Sequence, residues 1–221
     1  MYTLIINAWL IGILVFTNFI TIRTIIYLRK NIEDKDNINS IISNLEEIAY
    51  TDALTGVNNR RYFNELARDY FLISVKNGKN FAILILDIDD FKKINDTYGH
   101  LIGDEVLKSL SRRVQEVIGN KNFFYRLGGE EFVVIFPNYL QEEALIISDN
   151  IRNNIINTPF SIPSPLGYNV EIKVTVSFGL ASVETDNTLT FDQLLSNADK
   201  ALYYVKSNGK NAIQIYSNFI N

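Results

Sequence analysis

Arg126-Leu127-Gly128-Gly129-Glu130-Glu131-Phe132 lies between two apolar runs, Phe123 to Tyr125 and Phe132 to Phe136. A Gly-Gly pair accepts the positive φ of a two-residue hairpin loop, and β-branched and aromatic flanks suit paired strands, so the stretch predicts a β-hairpin. Glu130 and Glu131 stand side by side at its tip. Like charges repel unless a cation lies between them, which points to a metal. On this stretch alone, a solvated acidic tip serves equally well. A second stretch shifts the balance: Phe81-Ala82-Ile83-Leu84-Ile85-Leu86 is apolar on both faces, as a central buried strand is, and runs directly into Asp87-Ile88-Asp89-Asp90. Mg²⁺ takes hard oxygen ligands and is commonly held by one or two carboxylates plus substrate phosphates. An Asp at the end of a buried strand and a Glu on a neighbouring hairpin supply that pair.

The chain has 221 residues, enough for one well-buried domain plus an extension. It has no cysteine, which excludes disulfides, thiolate zinc sites and thiol catalysis. The single His100 excludes a multi-histidine metal centre. A net charge of -4 argues against nonspecific binding to a nucleic-acid backbone, so neither DNA nor RNA is expected as a partner.

No charged side chain occurs from Met1 to Ile22. At about 1.5 Å per helical residue this run reaches across a hydrocarbon core of roughly 30 Å. Arg23, Arg29 and Lys30 follow it, which predicts a single-pass anchor over 1–30 with the amino end outside and the remainder in the cytosol. Over 31–50, Ile38, Ile41, Leu45 and Ile48 repeat at three and four residues, the seam of a short coiled coil or of a linker helix. From 51 to 221 the pattern reads as one domain. It comprises a turn and helix start at Asp52–Arg61, a helix through Tyr62–Phe71, the buried strand, a helix from Gly103 to about Val117, the hairpin, a helix at Gln141–Asn157, a long strand at Val170–Ser182, a helix at Phe191–Ser207 and a last strand at Asn211–Tyr216. Helices alternating with strands around a hairpin predict an α/β (α+β) mixed sheet of the ferredoxin-like or polymerase-palm kind.

Three motifs in order, Asp52-x-Leu54-Thr55-Gly56-x-x-Asn59-Arg60-Arg61, Asp87-Ile88-Asp89-Asp90-Phe91-Lys92-x-x-Asn95-Asp96-x-x-Gly99-His100-x-x-Gly103-Asp104 and Gly128-Gly129-Glu130-Glu131-Phe132, resemble the GGDEF domain of diguanylate cyclases. The resemblance covers roughly Tyr50 to Ser217. It implies a bacterial enzyme that condenses two GTP to cyclic di-GMP and two pyrophosphates, by attack of a ribose 3′-hydroxyl on an α-phosphate; with the anchor over 1–30, its expected place is the inner membrane. A GTP-binding module without turnover is the alternative.

By the same resemblance, Asp87 and Glu130, with the Ile88 carbonyl, hold Mg²⁺ or Mn²⁺, two ions per GTP. Glu131 stands at the 3′-hydroxyl as base or orienting group. Asn95 and Asp104 read guanine, whose N1 and exocyclic amine are donors that a carboxylate accepts together. The amides of Phe91 and Lys92, with Lys92, Lys206 and Lys210, receive phosphates. Lys210 stands where the family usually has Arg, keeping the charge without the bidentate fork. The family's Arg-x-x-Asp product-inhibition site falls on Gly119-Asn120-Lys121-Asn122, which has neither residue. Arg126 is expected to pair with nearby carboxylates, and His100 to be a structural, hydrogen-bonded histidine. Because the product has two equivalent halves, the active site is expected between two protomers arranged isologously.

Overall fold

The computed structural model describes residues 2–119, 123–163, 168–184 and 189–216, and within the first helix the side chains of only some residues. Two compact units divide the chain, Met1–Ala49 and Tyr50–Asn221. The first is the backbone of one long helix, α1 (Tyr2–Tyr50). Most side chains of the apolar run Met1–Ile22 lie outside the described residues. Among described residues no helix is long and apolar enough to cross a membrane. Ile38, Ile41, Leu45 and Ile48 are all more than half exposed, between 56 and 77 %.

In the second unit the chain runs β1 (Asn58–Asn59), α2 (Arg60–Tyr62), a π-helical turn (Phe63–Ala67), α3 (Arg68–Lys76), β2 (Phe81–Ile88), α4 (Phe91–Tyr98), α5 (His100–Ile118), β3 (Phe124–Gly128), β4 (Glu131–Pro137), α6 (Gln141–Ile156), β5 (Phe160–Pro163), β6 (Asn169–Ile172), β7 (Val176–Val183), α7 (Phe191–Ser207) and β8 (Ile213–Ile215). The main sheet has the order β1-β3-β4-β2-β7-β8, in which the four central strands β3, β4, β2 and β7 run antiparallel to one another in turn. That is the split βαβ arrangement expected of a ferredoxin-like sheet, with a short parallel strand added at each edge.

Every residue of β2 is buried, as its unbroken apolar run requires of a strand covered on both faces. Alternation sends Leu84, Leu86 and Ile88 to one face, with Ile94 of α4, Leu110 of α5 and Ile151 of α6. Ile83 and Ile85 go to the other, with Phe71 of α3 and Leu194 and Leu202 of α7. On that face α7 lies almost on β7: a Cβ at Gly179 would fall 2.1 Å from the Ala198 carbonyl oxygen and 2.4 Å from the Leu202 amide.

The structure corrects the sequence reading in four places. Val170–Ser182 is not one strand. Its first part is β6, paired with β5 in a separate two-stranded sheet, and its second is β7, paired with β2. Hydrophobic alternation runs unbroken through Lys173-Val174-Thr175, so the change of partner left no mark on the pattern. Phe91–Tyr98 forms α4, too short to show a full helical stripe, and α5 begins at His100, ahead of Gly103. The helix through Tyr62–Phe71 carries the π turn at its centre. The last strand is confined to Ile213–Ile215.

Candidate active site

The hairpin is present, with its turn one residue later than the Gly-Gly pair suggests. Gly128 pairs with Glu131, so the loop is Gly129-Glu130, and Leu127 is the extra residue of a bulge between Arg126 and Gly128. Gly129 has φ +54, the left-handed region where a side chain is disfavoured. Glu130 therefore sits in the turn, while Glu131 opens β4 and lies directly opposite Asp87 of β2. Opposed like charges destabilise a sheet, so this pairing has a cost that needs another reason.

Arg126 holds the tip in place. Its Nε and Nη2 donate to the Gly129 carbonyl at 3.1 and 2.7 Å, and its Nη1 donates to Asp52 Oδ1 at 2.8 Å. Asp52 also accepts from Thr55 N at 2.9 Å and Thr55 Oγ1 at 2.7 Å. The first motif thus clamps the third. Burial alone would raise the Asp52 carboxyl, but the hydrogen bonds from Thr55 and Arg126 outweigh it and hold its pKa below the ordinary value. Arg126 pairs with a carboxylate as expected.

Asp87 is buried, and its Oδ1 meets the Lys206 ammonium at 2.5 Å as an ion pair. Desolvation pushes the Asp87 pKa up to about 6; Lys206 opposes the rise, and Glu130 and Glu131 add to it. A buried carboxylate with two further carboxylates near enough to raise its pKa, and a single ammonium against the three, fits a hard divalent cation. Among the described residues no group of three or more His, Cys, Asp or Glu is gathered to hold an ion unaided. Asp87 and Glu130, with Ile88 adjoining, could supply only a partial shell, to be completed by ligand oxygens.

The acidic cluster divides three ways. Asp87 serves the site, Asp89 is buried and hydrogen-bonded, and Asp90 accepts from Lys210 Nζ at 2.6 Å. Asp90 has φ +55 and gives α4 no side-chain cap, leaving the first amides of that helix, at Phe91 and Lys92, open to an anion. Asn95 on α4 lies against Gly103 on α5: a Cβ there would fall 1.9 Å from Asn95 Oδ1. The following residue is Asp104, so the two candidate base readers stand at one helix contact. His100 is exposed at the start of α5 and among the described residues shows no side-chain hydrogen-bond partner, unlike the hydrogen-bonded structural residue expected. Most of the Gly119–Asn122 stretch lies outside the described residues.

Asp87 and Glu131 also line a groove of about 620 Å³ with Tyr203, Tyr204 and Lys206 of α7. Sequence reasoning missed the clamp residues Asp52 and Thr55, the exposed Tyr203, and the separate role of Asp89. The surplus was the available signal: three carboxylates follow β2 where the metal needs one.

An antiparallel palm-like sheet whose central strand ends in carboxylates, beside an open helix start and two lysines, defines a class of domain suited to phosphoryl chemistry. The family model described as "Diguanylate cyclase, GGDEF domain" matches residues 49–212, more than half of the chain, and the chain belongs to that family. The response regulator PleD of Caulobacter vibrioides is 38% identical over 167 residues, 76% of this chain and 36% of PleD. A membrane protein of Staphylococcus aureus is 30% identical over 174 residues, 79% of this chain and 48% of its own length. The chain thus spans about a third to a half of these relatives. The crystal structure of the coiled coil and GGDEF domain of DgcB from Caulobacter crescentus, in complex with c-di-GMP, is similar with a TM-score of 0.75 and 26% identity, covering 85% of this chain and 96% of that one.

Proposed function

We propose that this chain is a diguanylate cyclase, joining two GTP into cyclic di-GMP with release of two pyrophosphates. The observation that carries this reading is the opposition of Asp87 and Glu131 at the strand ends, with the buried Asp87 carboxylate ion-paired to Lys206. Asn95 and Asp104 bind the guanine edge, and the amides of Phe91 and Lys92 with the Lys92, Lys206 and Lys210 ammonium groups receive the triphosphate. A bound Mg²⁺, or Mn²⁺, held by Asp87, Glu130 and the Ile88 carbonyl supplies Lewis-acid neutralisation of the phosphate charge, with two ions per nucleotide. Glu131 is exposed at the strand end and accepts or orients the proton of the 3′-hydroxyl.

Two copies meet isologously about a two-fold axis, each bringing one GTP, and the exposed seam Ile38, Ile41, Leu45 and Ile48 supports a parallel pairing of α1. Residues 1–30 anchor the chain in the bacterial cytoplasmic membrane with the catalytic unit in the cytosol. The uncharged run to Ile22 supports this, as does the likeness to a membrane protein of Staphylococcus aureus. Alkaline extraction of membranes tests the anchor: release of the chain into the soluble fraction would refute it.

The full chain, incubated with Mg²⁺ and GTP, should yield cyclic di-GMP detectable by mass spectrometry, and the Glu131→Ala chain should not. Absence of product at protein concentrations where dimers form would refute the cyclase. GTP binding without turnover would then mark the chain as a nucleotide-binding signalling module.

A further inference from the structure

We propose that Asp89 is a positioning residue for triphosphate binding, acting through the turn that carries Lys210. The inference rests on the nucleotide reading above and assigns the buried carboxylate that reading leaves unused. Asp89 follows β2 and is only 6 % exposed. Its Oδ1 accepts from Ser177 Oγ at 2.6 Å, and its Oδ2 accepts from Thr175 Oγ1 at 2.7 Å and from the Asn211 backbone N–H at 3.0 Å. Its own N–H donates to the Thr175 carbonyl at 2.9 Å. One side chain therefore ties together the end of β2, the approach to β7 and the turn between α7 and β8.

That turn is costly to hold. Gly209, Lys210 and Asn211 have φ of +108, +61 and +48, and the two non-glycine residues stand in a region that L-residues rarely occupy. Each such residue is strained and persists only where its surroundings over-determine it. The surroundings are few. The Lys210 N–H donates to the Val205 carbonyl at 3.0 Å, Arg152 Nε donates to the Asn211 carbonyl at 3.0 Å, and the Asn211 N–H goes to Asp89. Without Asp89 the Asn211 N–H loses its acceptor and the turn is free to relax toward ordinary φ. The base of Lys210 then turns with it, and its Nζ leaves the mouth of the acidic cluster where it now meets Asp90. The donors to Asp89 in these bonds are two hydroxyls and a backbone amide, and together they hold a shape.

The test compares the full-length parent, Asp89→Asn, Lys210→Met and the double variant for affinity toward GTP and GMP, both with Mg²⁺. GMP lacks the β- and γ-phosphates, so a change confined to GTP reports the placement of the phosphate cation. Asp89→Asn should weaken GTP about tenfold, the scale of one charge-assisted hydrogen bond, and change GMP less than twofold. In the Lys210→Met background it should add nothing. Hydrogen exchange at the Asn211 amide should be slow in the parent and fast in Asp89→Asn. If Asp89→Asn does not fold, Thr175→Val, which removes a donor from the oxygen that accepts Asn211 N–H, should show the same selective loss in smaller degree. Equal losses for GTP and GMP, no loss, or additivity with Lys210→Met would overturn the proposal. A parent chain that binds neither nucleotide would overturn the nucleotide reading, and the proposal with it.

Discussion

Gly103→Ala isolates base recognition from folding. An ideal Cβ at residue 103 would fall 1.9 Å from Asn95 Oδ1, 3.0 Å from Asn95 Cγ and 3.3 Å from Phe91 Cζ. Ordinary contact begins at 3.4 Å, so the carboxamide oxygen must retreat by 3.4 − 1.9 = 1.5 Å. It is the end of a rotatable side chain and moves by χ rotation, whereas the Phe91 contact needs only a tenth of an ångström. Alanine also favours a helix interior over glycine by about 0.5–1 kcal/mol, which offsets the tighter packing. Stability should therefore change by less than about 1 kcal/mol. Recognition should not escape so lightly. A displaced carboxamide loses its hydrogen bond to the base, worth about 0.5–1.5 kcal/mol, or roughly two- to twelvefold in affinity. Calorimetric titration of the full chain with GTP, beside a thermal melt, measures both. In an Asn95→Ala background, Gly103→Ala should cost no further affinity. A Gly103→Ala chain that binds GTP as tightly as the parent would refute the argument that Gly103 seats Asn95 for the base.

Three further outcomes follow from the site. Asp87 has a folded pKa of about 6 against an ordinary value of 3.8, so the unfolded chain releases that proton first, and metal-free stability should fall as pH rises from about 4 to about 6 and stay level above. Asp87→Asn should remove the penalty, raising stability at pH 7 by about 1–3 kcal/mol while abolishing turnover; a metal-free melt unchanged by the substitution would contradict this. Asp52 behaves oppositely. Its depressed pKa means a contribution present above the ordinary carboxylate range and lost as pH falls through the folded value. Asp52→Asn should therefore cost about 1–2 kcal/mol at pH 7, a cost that shrinks as pH falls below the ordinary carboxylate range, read from urea unfolding across that range. Finally, the residues at Gly119–Asn122 lack the Arg and Asp of the family's product-inhibition site, so added cyclic di-GMP should not inhibit noncompetitively; potent noncompetitive inhibition in a titration would contradict that.

How far the sequence disclosed this arrangement differs from element to element. The buried strand was legible because β2 is covered on both faces, so its run of apolar residues admits no other reading. The hairpin was legible from its glycines, although the bulge at Leu127 displaced the turn by one residue, and a bulge carries no residue signature of its own. The ends of α7 were legible because Thr190 caps it and the apolar face is regular to Val205. What escaped were relations between distant segments. Asp52 and Arg126 are 74 residues apart and meet only because β1 lies parallel to β3. Asp89, Thr175 and Asn211 meet only where β2, β7 and the turn after α7 converge. Local chemistry announces a carboxylate; only topology supplies its partner.

The same topology bears on why two copies are needed. Alternation along β2 puts Asp87 on the side of Ile83 and Ile85, the face that α7 covers, and Glu131 shares that side by its pairing with Asp87. Asn95 and Asp104 belong to α4 and α5, which cover the opposite face. A nucleotide held by its base at α4 and α5 must therefore pass over the end of β2 to bring its phosphates to Asp87 and Lys206. That span is taken up by the donor. The groove of Tyr203, Tyr204 and Lys206 beside Glu131 then remains on the far side of the strand end for the approach of an attacking hydroxyl. On the proposed cyclase reading, with one set of candidate base readers among the described residues, a second copy would bring the attacking nucleotide, and the two-fold symmetry of the product would follow from that of the pair. An obligate dimer of this kind predicts a rate that rises with the square of protein concentration when dimers are scarce. A first-order dependence across the dimerisation range would refute the two-copy site while leaving nucleotide binding intact.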